Sequence, residues 1–204
     1  MAPFIFMLDK IYVIDDVISK GYQDMLEHEL LNQNAPWHFQ RDIALDVNDP
    51  RAQQNINGMT PGFSHIFFDV DSGGIRSPLY YLTLPLMFEA FGKIGITPKM
   101  IVQGRSFMHV PLATRKEYDN IHVDYGRDHL VCLYYVNDTD GDTFIFDKTF
   151  RDVRPDADFS KVQWNVKQRI SPKKGRVVLF NGSQYHSSSG PTKDIRCIIN
   201  YDVL

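Results

Sequence analysis

From about residue 98 onward the chain consists of short runs of β-branched and aromatic residues, each closed by a turn signal, with no helical stretch between them. The runs are KMIVQGRSFMHV, NIHVD, HLVCLYYVN, DTFIFD, KVQWNVKQ, GRVVLF, QYHSSS and DIRCIINYDV, and the separators contain DYGRD, DTDGD, SPKKG, NGS and GPTK. Branched and aromatic side chains suit a pleated sheet, while Gly, Asn, Asp and Pro supply tight reversals. Many short strands without intervening helices close into a sandwich or barrel rather than stacking as βαβ units.

The first half is mixed. IYVIDDVIS reads as a strand leading into a helix through KGYQDMLEHELL, with Asp15 or Asp16 as N-cap. AQQNINGMTPGF is polar with Gly and Pro, hence a loop, and the aromatic run SHIFFD reads as strand. SPLYYLTLPLMFEAFGKIG is apolar at helical spacing and ends at Gly92 or Gly95; Pro78 suits its first turn and Pro85 is expected to kink or restart it. The 204 residues suffice for one domain with a substantial core. The expectation is a mainly β (α+β) fold, a double-sheet jelly roll with N-terminal helices packed outside. Residues 1–97 would be its support region and 98–204 its core.

A net charge of −3 gives no overall field toward nucleic acid or an anionic membrane. The basic stretch from Lys161 to Arg176 reads as a solvated strand-loop-strand. Cys132 and Cys197 lie in apolar runs and read as buried thiols in a reducing compartment. No apolar stretch approaches the roughly 20 residues of a membrane span. The N-terminus MAPFIFMLDK has no basic leader. The expectation is a soluble, cytoplasmic protein.

Motifs for nucleotide binding, zinc peptidase, serine hydrolase and dithiol chemistry are absent: there is no GxxxxGK[ST], GxGxxG, HExxH, GxSxG or CxxC. What remains is His122-Val123-Asp124, the single HxD of the chain. Residues i and i+2 of a strand share a face, so this run can present an imidazole and a carboxylate side by side. His186 follows on a separate strand. Two imidazoles and one carboxylate leave open positions on a metal, the arrangement of non-haem Fe(II) oxygenases, and no thiolate of a structural zinc site is near. Arg196, ten residues after His186 and beyond the GPTK turn, would point into the same cavity from an adjacent antiparallel strand. Its planar guanidinium matches a carboxylate through two parallel hydrogen bonds, the clamp a chelating dicarboxylate needs at its far end. Tyr135 can add a phenolic hydrogen bond to that carboxylate. By strand alternation Tyr118 and Asn120 share the facing of His122 and are candidates to line a substrate pocket. His65, His109 and His129 read as structural or substrate-lining.

The segments IHVD, LYYVNDTDGDTFIF and GRVVLFNGSQYHSSSGPTKDIRCIINYDV resemble the prolyl-4-hydroxylase-like branch of the Fe(II)/2-oxoglutarate dioxygenases over roughly residues 98–204. The overall style is also similar to small oxygenases of bacteriophages. This resemblance implies a double-stranded β-helix core, with His122, Asp124 and His186 holding Fe(II) and Arg196 and Tyr135 binding 2-oxoglutarate. It also implies O2 as second cosubstrate and hydroxylation of an unactivated C–H bond, with succinate and CO2 as coproducts. A prolyl residue in a peptide or protein leads as substrate, followed by a free amino acid or small metabolite. One departure stands out: the family places a tyrosine three residues before the metal histidine, and here Tyr118 stands four before it. Two readings of other classes stay open, a non-catalytic jelly-roll binding module and a cupin-like isomerase or hydrolase. The polar loops PLATRKEYDN and DYGRDH flank HxD, and one or both are expected to order when substrate binds.

Overall fold

The computed structural model describes residue 8 and residues 10–45, 59–112 and 117–204. Strands β1 (Tyr12–Asp15), β2 (His38–Gln40), β3 (Gly62–Asp69), β4 (Gly74–Ile75), β5 (Ile101–His109), β6 (Leu130–Tyr135), β9 (Arg176–Asn181) and β11 (Arg196–Val203) make one antiparallel sheet. Its order is β1-β9-β6-β11-β5-β3-β2, with β4 against β3. Strands β7 (Thr143–Thr149), β8 (Val166–Ile170) and β10 (Gln184–Ser188) form a second sheet in the order β10-β7-β8. The expected strand runs are present except NIHVD, and strands from both sides of residue 98 share the large sheet.

Alternation along the strands builds the layers. Cys132 and Tyr134 of β6, Val177 and Leu179 of β9, and Cys197, Ile199, Tyr201 and Val203 of β11 face outward onto the two helices. Helix α1 (Lys20–Leu31) brings Leu26 and Leu30; helix α2 (Leu79–Gly92) brings Leu86, Met87, Ala90 and Phe91. Each such apolar side chain larger than alanine contributes about 1.5–3 kcal/mol when fully buried. Val131, Leu133 and Tyr135, Val178 and Phe180, and Ile198 face the other way, onto Ile145 and Ile170 of the second sheet. With both faces covered, β6 and β11 are buried at every residue. This explains why their sequences read as nearly continuous apolar runs.

One helix expectation is corrected. The N-cap of α1 is Ser19, whose hydroxyl accepts from the Tyr22 amide, rather than Asp15 or Asp16. Asp16 turns the chain at φ 58° and Asp15 pairs with Lys173 and Arg176, so the helix begins later. Pro85 lies inside α2 without ending it. Tyr81, four residues back, is exposed, so the carbonyl that loses its donor lies on the solvent side. Beyond Gly92, Gly95 at φ +72° lets the Ile96 amide return to the Phe91 carbonyl at 3.1 Å.

The basic stretch is solvated and paired. Lys173 and Arg176 bind Asp15, and Lys174 binds Asp24 and Glu27 of α1. Cys132 and Cys197 are buried free thiols, as expected. Among the described residues no helix is long and apolar enough to cross a membrane. Ala113 to Lys116 of the PLATRKEYDN loop lie outside the described residues, as do the N-terminal seven and 46–58.

Candidate functional site

The chain just before β6 runs beside β10 of the smaller sheet. The Asp119 amide donates to the Ser188 carbonyl at 2.7 Å, and His122 and His186 exchange both backbone hydrogen bonds at 3.0 and 2.9 Å. This is a single isolated bridge, not the full strand expected of NIHVD. It is enough to place the two histidine rings 4.6 Å apart between centroids, with Asp124 beside them. One ligand atom from each of His122, Asp124 and His186 lies within 4.8 Å of the others.

The backbone also sets which nitrogen faces the carboxylate. His122 Nδ1 lies 2.9 Å from the Asn120 carbonyl and His186 Nδ1 lies 3.2 Å from the Gln184 carbonyl. A carbonyl only accepts, so each Nδ1 carries the proton and each Nε2 turns toward Asp124. Those Nε2 atoms stand 3.8 and 3.3 Å from Asp124 oxygens. A metal with bonds of about 2.0–2.2 Å to nitrogen and oxygen sets neighbouring ligands about 3 Å apart, so the donor set fits a divalent ion after a small contraction. Burial pushes the Asp124 carboxyl upward, but the charges of Arg105, His186 and His122 outweigh it and hold the group well below the usual carboxylate range. His186 is opposed by burial, and the Asp124 charge and hydrogen bond raise it above its ordinary value. A carboxylate ionised throughout the physiological range suits cation binding.

These residues open onto a cleft between the sheets. The inward faces of β5 and β11 give it a graded wall. Register pairs Arg196 with His109, Ile198 with Phe107, and Asn200 with Arg105. The wall therefore passes from a basic end, across an apolar row joined by Leu133, to the donors beside Asp124. Arg196 is 1% exposed. Its Nε donates to the Gly141 carbonyl at 2.8 Å and its Nη2 to Thr143 Oγ1 at 2.9 Å. The guanidinium also sits 5.5 Å from the centre of the Tyr135 ring. Among the described residues no carboxylate pairs with it. His109, beside it in the cleft, is held well below its ordinary value by burial and by the charges of Arg196 and His122, so its imidazole is neutral. Gly141 makes this end possible: at φ +103° a Cβ there would sit 2.8 Å from the Ser189 carbonyl and 3.1 Å from Arg196 Cδ.

No protein-family model and no curated protein matches the chain. Solved structures do match. SnoN, a non-heme alpha ketoglutarate dependent epimerase from nogalamycin biosynthesis, is similar with a TM-score of 0.62 at 12% identity, over 95% of this chain and 78% of that one. An oxidoreductase of the 2OG-Fe(II) oxygenase family from Burkholderia pseudomallei gives 0.62 at 11%, over 95% and 84%. A Pseudomonas putida prolyl-4-hydroxylase gives 0.54 at 12%, over 95% and 91%. The chain has the 2OG-Fe(II) oxygenase fold.

On that oxygenase fold the sequence-derived residues separate. His122, Asp124, His186 and Arg196 meet in one cleft. Arg196 arrives differently from expectation: β11 belongs to the large sheet, between β5 and β6, while His186 lies on β10 of the small one. It reaches the cavity from the facing sheet, not from a neighbouring strand. Tyr135 is packed in the layer between the sheets, and its hydroxyl donates to Thr143 Oγ1 at 2.7 Å. It acts on Arg196 through ring contact and Thr143 and does not line the cleft. Tyr118 is corrected, because its ring packs on Phe144 and Phe146 behind the small sheet. Asn120 is corrected too: its Nδ2 donates to Asp42 Oδ2 at 2.9 Å and its carbonyl orients His122. Asp42 also accepts from the Ala44 and Leu45 amides, which sets Ile43 and Ala44 at the cleft wall. Alternation failed for Tyr118 and Asn120 because their segment is not a regular strand. His65 bonds the Pro36 carbonyl, and His129 the Arg127 carbonyl.

Sequence reasoning missed the surroundings of Asp124. Arg105, Asn200 and Asp202 converge on it. A signal existed, since in RCIINYDV the polar Arg196, Asn200 and Asp202 fall at alternate positions on one face. Asp124, His129 and Asp202 also come within 4.8 Å of one another. There the Arg105 guanidinium already bonds both carboxylates, so that side holds a fixed cation.

Proposed function

We propose that the protein is an Fe(II)- and 2-oxoglutarate-dependent oxygenase, with His122, Asp124 and His186 as metal ligands and Arg196 as the cosubstrate clamp. One observation carries this reading. A single cleft holds two imidazoles and a carboxylate at ligand spacing and, opposite them, a buried arginine with no carboxylate partner among the described residues. A buried guanidinium is costly unless an anion shares its site. The apolar row of Phe107, Ile198 and Leu133 between the two suits the methylene carbons of a dicarboxylate. SnoN, 14% identical here, is described in complex with Fe3+, alpha ketoglutarate and nogalamycin RO.

When bound, the metal supplies O2 activation and the oxidation of a C–H bond. The chain's own groups do the positioning. Each imidazole is locked by its Nδ1 bond to a backbone carbonyl, so Nε2 keeps one orientation. Arg196 is fixed by Gly141 and Thr143, and its remaining N–H groups are available to an anion. The neutral His109 adds no charge at that end. The apolar row excludes water from the space between.

For the substrate, the reading is a prolyl residue in a peptide or protein. It rests on the sequence resemblance, on the Pseudomonas putida relative in fold, and on a Trichoplax adhaerens prolyl hydroxylase described with a hypoxia inducible factor peptide. A free amino acid or small metabolite is the competing substrate class, as SnoN acts in nogalamycin biosynthesis. The first assay is succinate formation from 2-oxoglutarate with Fe(II) under air. Its absence would remove the oxygenase reading. Mass spectrometry of proline-containing peptides against free amino acids, seeking a gain of one oxygen, then decides the substrate class.

A further inference from the structure

Directly behind the Asp124 carboxylate lies a charged group that metal ligation alone does not require. Arg105 Nη2 donates to Asp124 Oδ1 at 2.6 Å and to Asp202 Oδ2 at 3.2 Å. Asn200 Nδ2 donates to Asp124 Oδ2 at 3.2 Å and to Asp202 Oδ1 at 3.4 Å. Two donors thus straddle the same two acids, and each carboxylate oxygen meets one of them. The donors stand on rigid ground, since Arg105 and Asn200 are register partners in the middle of the large sheet. Asp202 is two residues further along β11 on the same face, its side chain 1% exposed, with His129 Nε2 3.7 Å away.

We propose that Arg105 is a positioning residue for Asp124 and that Asp202 is present to cancel the charge of Arg105. The proposal rests on the reading of His122, Asp124 and His186 as a metal site. A carboxylate can turn either oxygen, or both, toward a cation. Tethered by Arg105 and Asn200 it keeps one rotamer, and coordination positions stay open for a chelating cosubstrate. The tether brings an electrostatic problem. Were Arg105 to face Asp124 alone, the two charges would cancel, and a divalent cation would meet two neutral imidazoles and no net negative charge. Like charges a few ångströms apart in a buried site repel strongly. A second buried carboxylate solves this: Arg105 and Asp202 sum to zero and the Asp124 charge remains for the metal. Asp202 does not itself line the cleft; it lies behind Arg105 and Asn200, with His129 on its far side.

The test is Mn(II) binding by titration calorimetry on the metal-free protein, with Co(II) absorption as a report on coordination geometry. Asp202→Asn keeps the shape and leaves Arg105 paired to Asp124; its Mn(II) affinity should fall roughly 10–100-fold, the range known for partners of metal ligands. Arg105→Met combined with Asp202→Asn removes one charge of each sign, so the net charge of the group stays that of Asp124 alone. It should bind Mn(II) more tightly than Asp202→Asn alone, yet show altered Co(II) bands because Asp124 is no longer held. Thermal unfolding of each variant verifies the fold. Wild-type affinity in Asp202→Asn would overturn the charge role, and wild-type Co(II) bands in the double variant would overturn the positioning role. If the wild-type chain itself binds no Mn(II), the metal reading fails first, a distinguishable result.

Discussion

Arg196 carries a buried charge that no hydrogen-bonded carboxylate among the described residues offsets. It is buried to 1% exposure, bonds only neutral oxygens, and contacts a tyrosine ring. Burial lowers its affinity for its proton, yet a guanidinium stays charged at any ordinary pH. Such a group is tolerable where an anion binds. Arg196→Met should therefore raise the KM for 2-oxoglutarate by roughly 10- to 100-fold, since a charge-assisted hydrogen bond is worth about 1.5–3 kcal/mol. Metal affinity should hardly change, because the ligands lie beyond the apolar row. Steady-state kinetics beside Mn(II) titration separates the two, and an unchanged KM would rule out Arg196 as the clamp. At the other end, His186→Ala removes one of the three proposed ligands and also the ring that His122 faces. Iron content after anaerobic loading and desalting should drop to background; retention at the wild-type level would refute the triad.

At the scale of elements, strand β1 is held to the sheet by charge as well as by the ladder. It is an edge strand, paired to β9 through four residues. Arg176 and Lys173 grip Asp15 and hold its carboxyl at about 2, below the ordinary 3.8, with the Arg176 hydrogen bond the larger cause. A lowered folded-state value means the stabilisation is complete above pH 4 and disappears as the pH falls through about 2. The side chain is 32% exposed, so solvent screening reduces it to about 1 kcal/mol. Urea denaturation should show Asp15→Asn less stable by about that amount at neutral pH, with the gap narrowing between pH 4 and pH 2. A gap independent of pH would assign the effect to packing. The turn between β9 and β10 illustrates a different constraint. A Cβ on Gly182 would lie 2.1 Å from the His129 ring, so glycine here serves close packing beneath the site.

For the whole molecule, the candidate site is a joint between two sheets. His186 belongs to the small sheet, Asp124 to the segment bridging toward it, and Arg196 to the large sheet. A metal and a dicarboxylate bound there would cross-link the layers and bind the folded state alone. With ligands at about a hundred times their dissociation constants the gain is about 2.7 kcal/mol. For a chain of this size that is a rise in Tm of about 5–10 °C. Differential scanning calorimetry with Mn(II) and 2-oxoglutarate should show it, and His186→Ala should lose it. No shift in the wild-type protein would mean that neither ligand occupies the cleft.

Much of this was legible in the chain itself, because strand alternation is a local property. Runs such as RCIINYDV and HLVCLYYVN identify strands, and HVD presents two donors from one stretch of backbone. The helices were legible in outline, although the N-cap at Ser19 depended on salt bridges from residues 173 and 176. What the chain alone did not reveal was which faces meet. Tyr118 and Asn120 were misplaced because one backbone bridge, not a ladder, holds their segment. Arg105 and Asp202 join Asp124 from strands 97 positions apart in sequence. Sheet order, and hence the side from which Arg196 enters, is set by burial of apolar faces between distant segments. Periodicity is fixed by covalent geometry within a few residues, whereas the convergence of charges at Asp124 exists only once the layers have packed.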